Sequence, residues 1–290
     1  MAAFNVDLLD DLARRKVVLF VGAGASRAAT PRNGGSFKGW AEFLDDACSR
    51  VTDGKIKRII SARIKNKDFL IASELLKENL ADQWTGLLST EFQQAADTSR
   101  LHKAIINLGQ RIIVTTNFDK LIENAWSECS PARYPNVVSD VDNKVFRLFR
   151  NDDPYIIKLH GTIDAPEKII FDKTSYQRDA FANQFYRDLI GTLLLTHTFL
   201  FVGFSMDDPA ISSILESHAF KFFDSRPHYI FTSGKDEPLV DELSRKVRKL
   251  FVMKYSSKNN HIALVESLEA LAKEAEERKR IILTPKVPTA

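Results

Sequence analysis

Cysteine is nearly absent from this sequence. The 290 residues hold two, Cys48 and Cys129, too few for a four-thiolate zinc site and without the paired spacing of a disulfide framework. A reducing, cytoplasmic setting is the expectation. An excess of one charge is also missing: 41 Lys and Arg are scattered among 38 Asp and Glu, a formal net charge of +3, so the balance indicates no dedicated nucleic-acid surface. Long apolar runs are missing as well. The stretch "MAAFNVDLLDDLARRKVVLFVGAG" places acids before a short apolar run, which argues against a secretory signal or a membrane span, so the chain is expected to be soluble and intracellular. Internal repeats and low-complexity tracts do not occur.

What the chain does have is the composition of an ordinary globular protein, 44% apolar and 27% charged. Apolar runs recur at "KVVLFVGAG", "RIIVTTNFD", "PYIIKLHG", "TFLFVGFS", "PHYIFTS" and "KLFVMKY", without strict polar alternation. Such runs suit strands buried on both faces. Helix-like stretches such as "LVDELSRKVRKL" lie between them, so the order predicts an α/β fold with a doubly wound, mainly parallel sheet, Rossmann-like, in one domain over residues 1–290. Two intervals interrupt the alternation. Residues 31–100 read as amphipathic helices inserted after the first strand. Residues 126–153, richer in Pro, Asn and Asp, read as loops with one short strand pair. The tail, residues 284–290, is expected to be flexible.

Four of the runs end in small or polar clusters, and ligands of open α/β sheets bind beyond the carboxyl ends of the strands. Gly22 and Gly24 follow the first strand and Ser26 sits at a helix start, a pattern that lets backbone approach a phosphate or simply makes a tight turn. Thr115, Thr116, Asn117 and Asp119 end the second; Asn117 or Asp119 could equally cap the next helix. His160 follows "YIIKL" and can accept a proton near neutral pH, and Gly161 after it would leave room for a ligand. His102, His197 and His218 lie in helix-like sequence and read as packing or surface residues. Gly203 and Ser205 are candidates for ligand contact, whereas Asp208 before Pro209 reads as a helix cap.

Taken in this order, the four stretches resemble the sirtuin superfamily. Gly22-Ala23-Gly24-Ala25-Ser26 resembles its first NAD-binding loop and Thr115-Thr116-Asn117-Phe118-Asp119 its Thr-Gln-Asn-x-Asp motif. Leu159-His160-Gly161 resembles the segment with its catalytic histidine, and Val202-Gly203-Phe204-Ser205 its later ribose-binding loop. The similarity runs from about Val17 to the helix after Pro209.

The departures are informative. Deacylating sirtuins usually carry a four-cysteine zinc module, yet no cysteine follows Cys129; Thr116 stands where they have glutamine, and "ATPRNGG" where they have an Ile-Pro-Asp-Phe-Arg stretch. These features are similar instead to the sirtuin-like NAD-hydrolysing domains of bacterial anti-phage defence systems. That resemblance implies cleavage of the nicotinamide–ribose bond of NAD, no zinc, and an abortive-infection effector gated by oligomerisation or by a partner. It implies a homo-oligomer working with a co-encoded sensor such as a HerA-type ATPase or a short Argonaute, with neither membrane nor direct nucleic-acid binding. It also implies roles: Asn117 and His160 catalytic, and Gly22, Ala23, Gly24, Ser26, Thr116, Asp119, Gly203 and Ser205 in contact with NAD. Two alternatives stay open, an NAD-dependent protein deacylase and a module that binds NAD or ADP-ribose without turnover.

Overall fold

The computed structural model describes residues 4–233 and 237–283. The six apolar runs form strands, and a seventh lies between the second and third of them. In chain order they are β1 (Val17–Val21), β2 (Ile112–Thr115), β3 (Asn136–Val138), β4 (Tyr155–Lys158), β5 (Thr198–Val202), β6 (His228–Thr232) and β7 (Leu250–Lys254). They make one sheet in the order β3-β4-β2-β1-β5-β6-β7, and every pairing is parallel. The central strands β1, β2, β4 and β5 are buried along their whole length, which is why their sequences run apolar without alternation.

Alternate residues of β1 serve two cores. Val17, Leu19 and Val21 pack beneath the helices Val6–Ala13, Arg100–Asn107, Leu121–Cys129 and Lys258–Leu283. Val18 and Phe20 face the helices Gln184–Thr196 and Pro209–Lys221 on the other side. From β1 the sheet extends one way through β2 and the other way through β5. The crevice at such a switch point opens beyond the strands' carboxyl ends.

Residues 31–100 contribute a third apolar cluster rather than an extension of these two. Four helices, Trp40–Ser49, Gly54–Lys65, Phe69–Leu80 and Asp82–Phe92, close around Leu44, Ile60, Leu76 and Trp84. Phe118, from the loop after β2, and Phe171, beyond β4, complete that cluster. Phe171 stands 4.7 Å from Trp40, 5.6 Å from Phe43 and 5.4 Å from Phe118, ring centre to ring centre. The helices are thereby anchored to the two loops that carry Asn117 and His160. The ends of the segment meet where Arg32 N–H donates to Ala95 O at 2.8 Å.

The strand pair expected within residues 126–153 does not form. Only β3 is present, pairing with the sheet's edge at β4, and the rest closes as a 3₁₀ helix, Asn143–Arg150. Val145 and Leu148, three apart, are the buried residues of that helix, and a 3₁₀ helix aligns side chains at this spacing. The tail 284–290 lies outside the described residues.

Candidate active site

Beyond the ends of β1, β2, β4 and β5 lies a cleft of about 980 Å³, roofed by the inserted helices. Ala23, Gly24, Ser26, Thr116, Asn117, Asp119, His160, Gly203 and Ser205 all line it, while Phe37, Trp40, Phe69 and Phe92 supply an apolar wall. Gly22 and Gly161 do not line it. The volume is at the upper end of the usual range for small-molecule sites, room enough for a dinucleotide.

Asn117 is fixed on its donor side. Its Nδ2 donates to Gly22 O and to Ser26 Oγ, each at 3.0 Å, and its backbone N–H bonds Thr115 Oγ1 at 3.0 Å. Gly22 O can only accept, so the amide orientation is determined. Oδ1 is left buried with no partner. An unsatisfied buried acceptor is costly and calls for a donor supplied by something else, such as a ligand or water. The amide therefore works as an acceptor here, its donors already spent.

Ser26 Oγ donates to Asp119 Oδ2 at 2.6 Å, and Asp119 Oδ1 accepts Leu121 N–H at 3.0 Å. Asp119 thus accepts from the first N–H of the helix Leu121–Cys129 and holds Ser26 at once. The Ser26 proton is thus committed inside the protein, and its hydroxyl could meet a ligand only through a remaining lone pair. Behind them, Lys158 is completely buried at the end of β4; its Nζ donates to Asp119 O and to Glu123 Oε1, the latter at 2.7 Å.

Gly22 and Gly24 answer to close backbone packing. A Cβ on Gly22 would lie 2.5 Å from Gly203 O, and one on Gly24 would lie 2.9 Å from the same atom. The N–H groups of Gly22 and Gly24 already bond Val202 O and Gly203 O, at 3.0 and 2.9 Å. Glycine is needed there because two loops touch, and these two amides are not offered to a phosphate. Gly161 likewise has φ +88° and abuts the backbone of Lys168 and Ile169, so it makes a turn rather than space in the cleft.

His160 lies in the turn two residues beyond the end of β4 and is 2% exposed. Burial pushes its imidazole below the ordinary pKa, and the Asp208 carboxylate opposes this only in part, so the ring is neutral at neutral pH. Its Nε2 stands 3.3 Å from Asp208 Oδ2 without an aligned hydrogen bond. Asp208 caps the helix Pro209–Lys221 through Oδ1, bonded by Ile211 N–H at 2.9 Å, as its sequence indicated. The proximity to His160 was not legible, since a cap uses one oxygen and the sequence does not say where the other points. Tyr176, which donates to Asp208 Oδ1, was missed altogether; it lies in a stretch with no helical period. His102, His197 and His218 stand outside the cleft. Among the described residues no cluster of three or more His, Cys, Asp or Glu is arranged to hold a metal ion, and no helix is long and apolar enough to cross a membrane.

A family profile for the SIR2-like domain matches residues 111–258, about half of the chain, including Asn117, His160 and Ser205. The chain belongs to the SIR2-like family. Among named relatives, the NAD(+) hydrolase ThsA of Bacillus cereus (strain MSX-D12) is 26% identical over 268 residues, covering 88% of this chain and 52% of that protein. ThsA of Enterococcus faecium is 27% identical over 219 residues, 73% of this chain and 42% of that one. Defense-associated sirtuin 2 of Bacillus subtilis is 25% identical over 211 residues, 69% of this chain and 19% of the relative. The SIR2-like chain thus spans about half, or less, of the length of the curated relatives it matches.

Proposed function

We propose that this SIR2-like chain is an NAD hydrolase that cleaves the nicotinamide–ribose bond, water taking the place of nicotinamide: NAD⁺ and H₂O give nicotinamide, ADP-ribose and H⁺. The observation that carries the reading is that the unbonded acceptor Asn117 Oδ1 and a buried neutral His160 line one cleft of dinucleotide size. The names of the ThsA relatives support it.

Loss of nicotinamide leaves positive character on the ribose, which needs a rigid sugar and little bulk water. Asn117 Oδ1 accepts a hydrogen bond from the attacking water or a ribose hydroxyl and so orients it. His160 removes the proton, directly from the water or through the ribose hydroxyl, a contribution of about 10²–10⁴ in rate. Asp119 positions Asn117 through Ser26. Thr116, Gly203 and Ser205 face the ribose side of the ligand, while Ala23, Gly24 and Ser26 border its pyrophosphate and Gly22 supports that loop from behind.

The biological reading is an abortive-infection, anti-phage effector. Its activity is gated by homo-oligomerisation or by a co-encoded sensor such as a HerA-type ATPase or a short Argonaute, because ungated NAD loss would harm the cell. The test is release of nicotinamide and ADP-ribose from NAD with no peptide present, by the chain alone and with any co-encoded partner. One-to-one release is expected. Release only in the presence of an acyl-lysine peptide would make the chain a deacylase, and binding without any release would make it a sensor.

A further inference from the structure

The cleft contains one arrangement that the NAD-hydrolase reading does not yet use: three polar groups in a line, each from a different element. Tyr176 opens a π-helical turn, Tyr176–Phe181, immediately after the capped turn Lys173–Ser175. Its hydroxyl is turned toward the N-terminus of the helix Pro209–Lys221 and donates to Asp208 Oδ1, which also accepts Ile211 N–H at 2.9 Å. With two donors on Oδ1, the carboxylate cannot rotate freely. Its other oxygen, Oδ2, faces His160 Nε2 at 3.3 Å, with the His160 and Asp208 side chains 3% and 9% exposed. The ring of Tyr176 packs edge-on against His160, 5.4 Å between centres. π-Turns inside helical segments occur frequently at functional sites, and here the turn begins at the residue that grips Asp208.

We propose that Asp208, clamped by Tyr176 and Ile211, is the positioning residue of His160: Oδ2 accepts Nε2–H, which fixes the proton on Nε2 and leaves Nδ1 as the basic nitrogen. A neutral imidazole carries one N–H, and which nitrogen holds it is set by the hydrogen bonds its two nitrogens make. A carboxylate can only accept, so the ring must turn its N–H toward it. At 3.3 Å the two atoms are within hydrogen-bond reach but poorly aligned, and catalytic hydrogen bonds of this kind commonly align and tighten once substrate is seated. Asp208 acts through His160 and needs no contact with NAD. The catalytic part of the inference rests on the NAD-hydrolase reading; the tautomer does not.

The deciding experiment is the imidazole ¹⁵N spectrum of the whole chain, with the His160 signals identified by their loss in His160→Ala. Wild type is expected to show the Nε2–H tautomer; an Nδ1–H tautomer would overturn the proposal without any variant. Asp208→Asn keeps a residue that caps helices as well as aspartate does, so the helix Pro209–Lys221 is retained. Ile211 N–H holds the amide oxygen, which turns Nδ2 as a donor toward His160. The proton is then expected to move to Nδ1, with kcat for nicotinamide release falling about 10²–10⁴-fold while KM stays within a few-fold. An unchanged tautomer, or an unchanged kcat in Asp208→Asn, would reduce Asp208 to a helix cap. If wild type shows the Nε2–H tautomer yet releases no nicotinamide in any setting, the hydrolase reading fails and the Asp208–His160 relationship stands.

Discussion

Gly203 and Gly24 are in backbone contact across the mouth of the sheet: Gly24 N–H donates to Gly203 O at 2.9 Å, and Gly203 holds φ at +63°. A Cβ on Gly203 would come within 2.6 Å of Ala25 N. Gly203→Ala therefore combines a left-handed backbone with a clash against main chain. We expect a loss of at least about 2 kcal/mol of stability, with the loop of Gly22–Ser26 displaced and NAD turnover lost. Thermal unfolding of the variant, scored beside turnover, checks it; a melting point equal to wild type would contradict the packing account.

Lys158 is buried with its ammonium shared between Asp119 O and Glu123 Oε1. Removing one partner of a buried pair leaves the other uncompensated, so Lys158→Met should cost about 3–5 kcal/mol in urea unfolding. Lys158→Met combined with Glu123→Leu should recover a large part of that loss. If the double variant is no more stable than the single one, Lys158 matters through Asp119 O alone.

The acid limb of the activity profile follows from His160. Burial lowers its pKa below the ordinary 6.5, and the base must be neutral to accept a proton, so protonation inactivates it only below that value. The groups beside the ring are the Asp208 carboxylate and the Tyr176 hydroxyl, whose own pKa is raised by burial and by Asp208, so the tyrosine stays protonated. kcat/KM is expected to fall on the acid side with a midpoint below 6.5. A midpoint at or above 6.5 would contradict the burial of the base.

Stability should have a separate acid dependence set by His228. Its Nδ1 accepts Phe199 N–H at 3.1 Å, so the folded ring must be neutral, and burial, reinforced by His218 and Lys249, lowers its pKa to about 3. The unfolded chain binds the proton first, near 6.5; stability is complete above that pH and is lost progressively as pH falls from 6.5 toward 3. His228→Asn keeps an acceptor for Phe199 and carries no titrating group. Denaturation midpoints between pH 7 and 4 should fall less steeply in that variant than in wild type, and parallel slopes would remove His228 as the cause.

Much of this architecture was legible because burial on both faces leaves an unambiguous mark: the six apolar runs are six strands of the sheet. The seventh, Asn136–Val138, is three residues long, mostly exposed and at an edge, so it carries no apolar signature. Asn117, Asp119 and His160 could be picked out because strand ends in an α/β sheet converge on one crevice. What each does with its hydrogen bonds could not. That Asn117 spends its donors on Gly22 and Ser26, and that Gly22 and Gly24 yield to Gly203, depend on contacts about 90 to 180 positions apart in the chain. Tyr176 reaches Asp208 across 32 positions through a π-turn that no sequence period announces.

The central claim is that Asn117 and His160 act on one bound NAD, and NAD binding and nicotinamide release measured together on wild type, Asn117→Ala and His160→Ala test it most directly. We expect His160→Ala to bind NAD within a few-fold of wild type while releasing nicotinamide at least about 10²-fold more slowly, with Asn117→Ala impaired in release as well. Release at the wild-type rate by both variants would contradict the account.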